Sequence, residues 1–84
     1  MEQRKNYYFS DRLSVIRFLE DLMGSEGSRK AAQIIFRILY HEEEKLKFDG
    51  EKFYIDSRYL DENFERLFKI ANKIIELESK TTIK

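Results

Sequence analysis

The sequence predicts an α+β domain, mostly helical, in the order helix, helix, β-hairpin and a long C-terminal helix. Three observations carry this. Apolar residues recur at helical spacing in three stretches, an Asp-Gly pair at 49–50 divides two short alternating runs, and one small-residue cluster, Gly24-Ser25-Glu26-Gly27-Ser28, separates the first two helical stretches. Proline is absent and glycine occurs only three times, so each break is informative. Eighty-four residues suit a single domain, and no repeat or linker divides them.

The first helix is expected from about Asp11 to Met23. Ser10 is a competent N-cap, Asp11 suits the positive helix start, and Gly24 can close the helix. Leu13, Val15, Ile16, Phe18, Leu19, Leu22 and Met23 form a broad apolar arc, with Arg17, Glu20 and Asp21 on the wet side. Ser28 is read as the cap of a second helix from about Arg29 to Glu44. Its apolar residues, Ala31, Ala32, Ile34, Ile35, Phe36, Ile38, Leu39 and Tyr40, span about 240°, where a single core contact needs only ~100°. That helix is either central to the domain or shared with a partner.

Leu46 to Ile55 reads as a hairpin around the two-residue turn Asp49-Gly50, because both central positions of such a turn need positive φ. The last helix is capped by Asp56 or Ser57 and is expected to run to about Glu78. Its apolar residues, from Tyr59 to Leu77, fill one half of the circumference, and charged residues fill the other. About 22 residues give roughly 33 Å of helix. A domain of this size has a radius of gyration near ~12 Å, so part of the helix should project or pack against a second copy. Residues 1–9 are an aromatic lead-in or a third short strand over Asn6–Phe9, and residues 79–84 a frayed tail.

Composition excludes several classes. Sixteen Lys and Arg balance sixteen Asp and Glu, which argues against a polycationic histone-like chain or an acidic DNA mimic. Twelve aromatics argue against a disordered tail. Without cysteine there is no disulfide framework, thiolate zinc site or cysteine nucleophile. No apolar run reaches the ~18 residues of a membrane span and no signal peptide is visible, so a cytoplasmic location without membrane contact is expected.

Catalytic chemistry finds little footing. His41 precedes Glu42-Glu43-Glu44, but on a helix only Glu44 shares its face, and zinc sites use three or four ligands. The run reads as a wet helix end. Gly24 to Lys30 has the composition of a phosphate-cradling loop without its spacing or its preceding strand. The pairs Glu62/Glu65 and Glu76/Glu78 read as solvated surface charge. No catalytic residue, metal or cofactor is therefore expected.

Two binding constellations remain. Ser28, Arg29, Lys30, Gln33 and Arg37 mark the start and polar arc of the second helix. Lys30, Gln33 and Arg37, spaced i, i+3, i+7, share a face and are residue types that read base edges and phosphates. Arg4, Lys5 and Arg12 would widen this basic surface if the fold gathers them. Helix, turn, helix, two-stranded wing and long helix resembles the back half of a winged-helix regulator over about residues 10–78. Residues 1–9 are too short for the additional front helix of such proteins. The resemblance implies duplex DNA as partner, Lys47 and Lys52 near the hairpin tip on backbone phosphate, and a homodimer contact through the helix after the wing. The second constellation is surplus apolar surface, with Phe36, Tyr40, Tyr59, Phe68 and Ile75 as candidate interface residues. It supports the alternative of a protein-binding inhibitor or adaptor of the phage or mobile-element type. A small non-catalytic DNA-binding regulator is the leading expectation.

Overall fold

The computed structural model describes residues 5–82. Strand β1 (Asn6–Phe9) leads into helix α1 (Arg12–Met23), and a 3-10 turn (Gly24–Glu26) connects to helix α2 (Arg29–Arg37). A π-helical segment (Ile38–Glu42) continues α2 without a break. Strands β2 (Lys47–Phe48) and β3 (Phe53–Asp56) follow, and helix α3 (Ser57–Thr82) ends the described chain. The chain is thus mostly helical with a small antiparallel sheet in the order β1-β3-β2.

Several boundaries differ from the sequence reading. Asp11, not Ser10, caps α1: its carboxylate accepts from the Ser14 backbone N–H at 2.8 Å. Two adjacent competent caps leave the choice to the chain's exit from β1. Gly24 closes α1 at φ +70°, and its N–H reaches the carbonyls of Glu20 and Asp21. Ser28 caps α2 as expected, with its Oγ accepting from Ala31 N–H at 3.1 Å. The regular helix gives way at Ile38, however, and the Glu43 N–H reaches the Ile38 carbonyl at 2.8 Å in an i→i+5 bond. Two residues past the end of the segment stands Glu44, the one described non-glycine residue with positive φ, +56°.

The hairpin turn is a four-residue loop rather than a two-residue one, since Phe48 pairs with Phe53. The Asp49 carboxylate accepts from the N–H groups of both Glu51 and Lys52 at 2.9 Å, which curls the loop over its own side chain. Residues 6–9 do form the third strand, with Tyr7 opposite Ile55 and Phe9 opposite Phe53. That strand also anchors α3. The Lys5 carbonyl accepts from the N–H and Oγ of Ser57, and the Tyr7 hydroxyl donates to Asp61 at 3.0 Å. Asp56 caps α3, accepting from Arg58 N–H at 2.9 Å. The helix runs four residues beyond Glu78, so 79–82 are helical rather than frayed.

The wide apolar arc of α2 is closed by the chain itself. Ala31, Ala32 and Ile35 are fully buried and Ile34, Phe36, Ile38 and Leu39 nearly so, with α1 against one side, α3 against another and Phe53 of the sheet over Phe36. No partner is needed to cover them. The core centre is aliphatic: Leu19, Ile35, Leu39, Leu46, Ile55, Leu60 and Leu67 are its largest fully buried side chains. Tyr7, Phe9, Phe18, Tyr40, Phe53, Tyr59, Phe64 and Phe68 ring it, half-buried. Beyond Ala71 no described side chain of α3 is fully buried, and the long axis of the molecule reaches 53 Å.

Candidate functional site

Helix α2 meets its surroundings differently at its two ends. At its N-terminal end the cations are answered. The Arg29 guanidinium pairs with Glu20 of α1, and the Lys30 ammonium lies 3.0 Å from Glu78 of α3. Arg29, Lys30 and Glu78 are more than half exposed and Glu20 is half-buried, so each pair contributes ~0–1 kcal/mol and the cations can exchange their partners for another anion at small cost. The Ser28 hydroxyl is committed to the helix cap. Gln33 is exposed between the two ends.

At the C-terminal end the cations are open. Arg12 from the first turn of α1, Arg37 from α2, His41 from the π segment, and Phe36, Tyr40 and Phe53 line a cleft of about 280 Å³. The Arg12 guanidinium lies 5.1 Å above the Phe36 ring. Phe53 meets Phe36 and Tyr40 edge-on at 5.6 and 5.9 Å. His41 stands edge-on to Tyr40 at 4.9 Å. None of the six lining residues is acidic, and among the described residues Arg12 and Arg37 have no carboxylate partner.

The π segment positions this end. Its wider turn carries Tyr40 and His41 to the cleft, and such insertions into α-helices recur at functional sites. A polar cluster on the opposite flank locks it to α3. Glu43 takes a two-pronged contact from Arg66, at 3.0 and 3.3 Å, and a hydrogen bond from the Tyr59 hydroxyl. Asn63 accepts from Arg66 at 3.1 Å and donates to the Tyr59 carbonyl at 2.9 Å. The Arg66 hydrogen bonds hold the Glu43 carboxyl below the ordinary carboxylate range. Burial and the Glu43 contact raise the Tyr59 phenol above its ordinary value.

The hairpin stands beside this end of α2. Lys47 and Lys52 are both exposed, and Lys47 lies opposite Tyr54 in the sheet. Tyr54 and Tyr8 lie side by side on the outer face, 6.1 Å apart, with the Lys52 ammonium 5.7 Å from the Tyr8 ring. Of the candidate interface residues, Phe36 is buried in the chain's own core and borders the cleft only beneath the Arg12 guanidinium. Tyr40 lines the cleft, and the Tyr59 hydroxyl is engaged by Glu43 while Lys45 covers its ring at 5.0 Å. Phe68 and Ile75 are half-buried on α3, Phe68 stacked on Phe64 at 6.0 Å.

Sequence reasoning left Arg12 with only a conditional role and read His41 as a wet helix end. It passed over Phe53 and Tyr8 as site residues. Only tertiary contact joins residue 12 to residues 37, 41 and 53. Arg4 lies outside the described residues. Among the described residues, no three His, Cys, Asp or Glu side chains are grouped to hold a metal, and no helix is long and apolar enough to cross a membrane. No family model, curated protein or solved structure matches the chain.

Proposed function

We propose that the chain is a small non-catalytic regulator that binds duplex DNA through α2 and the β2–β3 hairpin. One observation carries this reading. The exposed stripe of α2 ends in Arg37, which with Arg12 is free of carboxylate partners among the described residues, beside a hairpin that presents Lys47 and Lys52. In this reading Gln33 and Arg37 face base edges and the hairpin lysines contact phosphate. Arg29 and Lys30 join by exchanging Glu20 and Glu78 for phosphate, a small cost for exposed pairs. The order of elements resembles a winged-helix regulator, with β1 added beside the wing.

The test is fluorescence anisotropy of a labelled mixed-sequence duplex across a salt series. Each neutralised phosphate contributes about −0.9 to the slope of log K against log salt. A slope implying several phosphates is expected, and absence of binding at low salt contradicts the reading.

A second reading rests on α3. Phe64, Phe68 and Ile75 recur at i, i+4, i+11 as a half-buried stripe, and Leu77 further along is 51% exposed. This stripe suits a homodimer contact or a protein target in an inhibitor or adaptor role. Sedimentation equilibrium distinguishes them: a homodimer has twice the chain mass, and Phe68→Asp returns it to the monomer.

A further inference from the structure

We propose that the cleft between the start of α1, the end of α2 and β3 is a binding site for a nucleoside monophosphate, a phosphate group carrying a flat aromatic ring. The chemistry of the lining argues for both halves of that ligand. Two guanidiniums, Arg12 and Arg37, and the imidazole of His41 surround a space into which no lining carboxylate projects. A phosphate monoester carries about two negative charges and three acceptor oxygens at neutral pH, and suits paired guanidiniums better than a single carboxylate does. The rest of the lining is aromatic. Phe36 is buried beneath the Arg12 guanidinium, so the stacking surfaces on offer are Tyr40, Phe53 and the guanidinium plane itself. Stacking of a base on such a surface is worth about 1–3 kcal/mol per base.

Size narrows the class. A cleft of about 280 Å³ lies at the lower bound of small-molecule sites, which run from roughly 300 to 1,000 Å³. A cleft of that size suits the ring and phosphate of a single nucleotide. The walls are also braced from behind. Leu39, one residue from Tyr40, is fully buried, and Glu43, two residues beyond His41, is tied to Arg66 and Tyr59. This site does not rest on the duplex reading, although the two share Arg12 and Arg37.

The experiment is a titration of the isotopically labelled full chain, followed by backbone amide shifts at constant ionic strength. The probes are adenosine monophosphate, adenosine, inorganic phosphate and a short single-stranded oligodeoxyadenylate with a 5′-phosphate. Adenosine monophosphate is expected to shift Arg12, Arg37, Tyr40, His41 and Phe53 saturably, with adenosine and phosphate each at least tenfold weaker. Arg37→Gln should weaken adenosine monophosphate at least tenfold, whereas Tyr40→Leu should weaken it and leave phosphate unchanged. Tighter binding of the oligonucleotide marks a strand end as the source, and equal binding marks the free nucleotide. No saturable shift at millimolar nucleotide overturns the proposal, and so does phosphate binding as tightly as the nucleotide. Duplex binding that persists when the nucleotide fails removes this site alone. Nucleotide binding without duplex binding removes the regulator reading alone.

Discussion

The two ends of α2 carry similar cations in opposite circumstances. At the N-terminal end Arg29 and Lys30 meet Glu20 and Glu78, and two small residues, Ala31 and Ala32, let the neighbouring helices approach. At the C-terminal end Arg37 meets Arg12 and His41 across an aromatic cleft, and larger side chains, Ile38 and Leu39, anchor the helix. Among the described residues no acidic one lines the cleft, and Glu43 is engaged by Arg66 and Tyr59. Equal numbers of charges therefore give one end that is self-satisfied and another with charge to offer. A neutral total hides a local cationic site.

The largest expected effect tests the anchoring. Leu39→Ala should cost about 2–5 kcal/mol by urea denaturation, against about 1 kcal/mol for Ala32→Gly at the other end. A cost for Leu39→Ala no greater than that for Ala32→Gly would mean that the C-terminal end is not held by its core contact.

Next comes the turn that sets the N-terminal end. A Cβ on Gly27 would overlap the Cβ and Sδ of Met23, which is nearly buried. Gly27→Ala is expected to destabilise by about 1–3 kcal/mol through overpacking. A neutral result in thermal unfolding would show that Met23 can move aside.

The Glu43 cluster gives a pH-dependent contrast. Its carboxyl is held below the ordinary range when folded, so its contribution is whole above the unfolded carboxylate value of about 4.3 and is lost as pH falls through the lowered folded value. Glu43→Gln should cost about 1 kcal/mol at pH 7, since Arg66 is partly solvated. The difference from the parent chain should shrink towards zero in strong acid. Chemical unfolding between neutral and acid pH checks it, and a gap that widens in acid would reverse the sign.

The smallest effect belongs to the self-satisfied end. Glu78→Ala or Lys30→Ala should change stability by no more than ~0.5 kcal/mol, because the pair is exposed on both sides. A larger change in a double-mutant cycle would show that the end of α3 is fixed by this contact.

Much of the framework was legible in the sequence for local reasons. Periodicity located three helices, Ser28 announced its cap, Asp56 was one of two cap candidates for the last helix, and the aromatic run at residues 6–9 was compatible with the strand that forms. What escaped was decided by competition or by distance. Asp49-Gly50 has the composition of a two-residue turn, yet the Asp49 carboxylate captures two N–H groups and spreads the loop over four residues. The π segment is a one-residue shift in hydrogen bonding with no compositional mark, and it sets where Tyr40 and His41 point. The exposed stripe Lys30, Gln33, Arg37 could be read from spacing. That Lys30 finds Glu78, 48 positions later, while Arg37 finds no acid among the described residues, could not.

The most direct test compares the two ends in one assay. Labelled duplex DNA would be titrated at several salt concentrations with the parent chain, with Arg12→Ala/Arg37→Ala and with Arg29→Ala/Lys30→Ala, each checked for its fold by circular dichroism. Each phosphate that a variant no longer neutralises should make the salt slope shallower by about 0.9. The account predicts that the Arg12/Arg37 variant loses more affinity and more slope than the Arg29/Lys30 variant. Equal losses, or a greater loss at the N-terminal end, would contradict it.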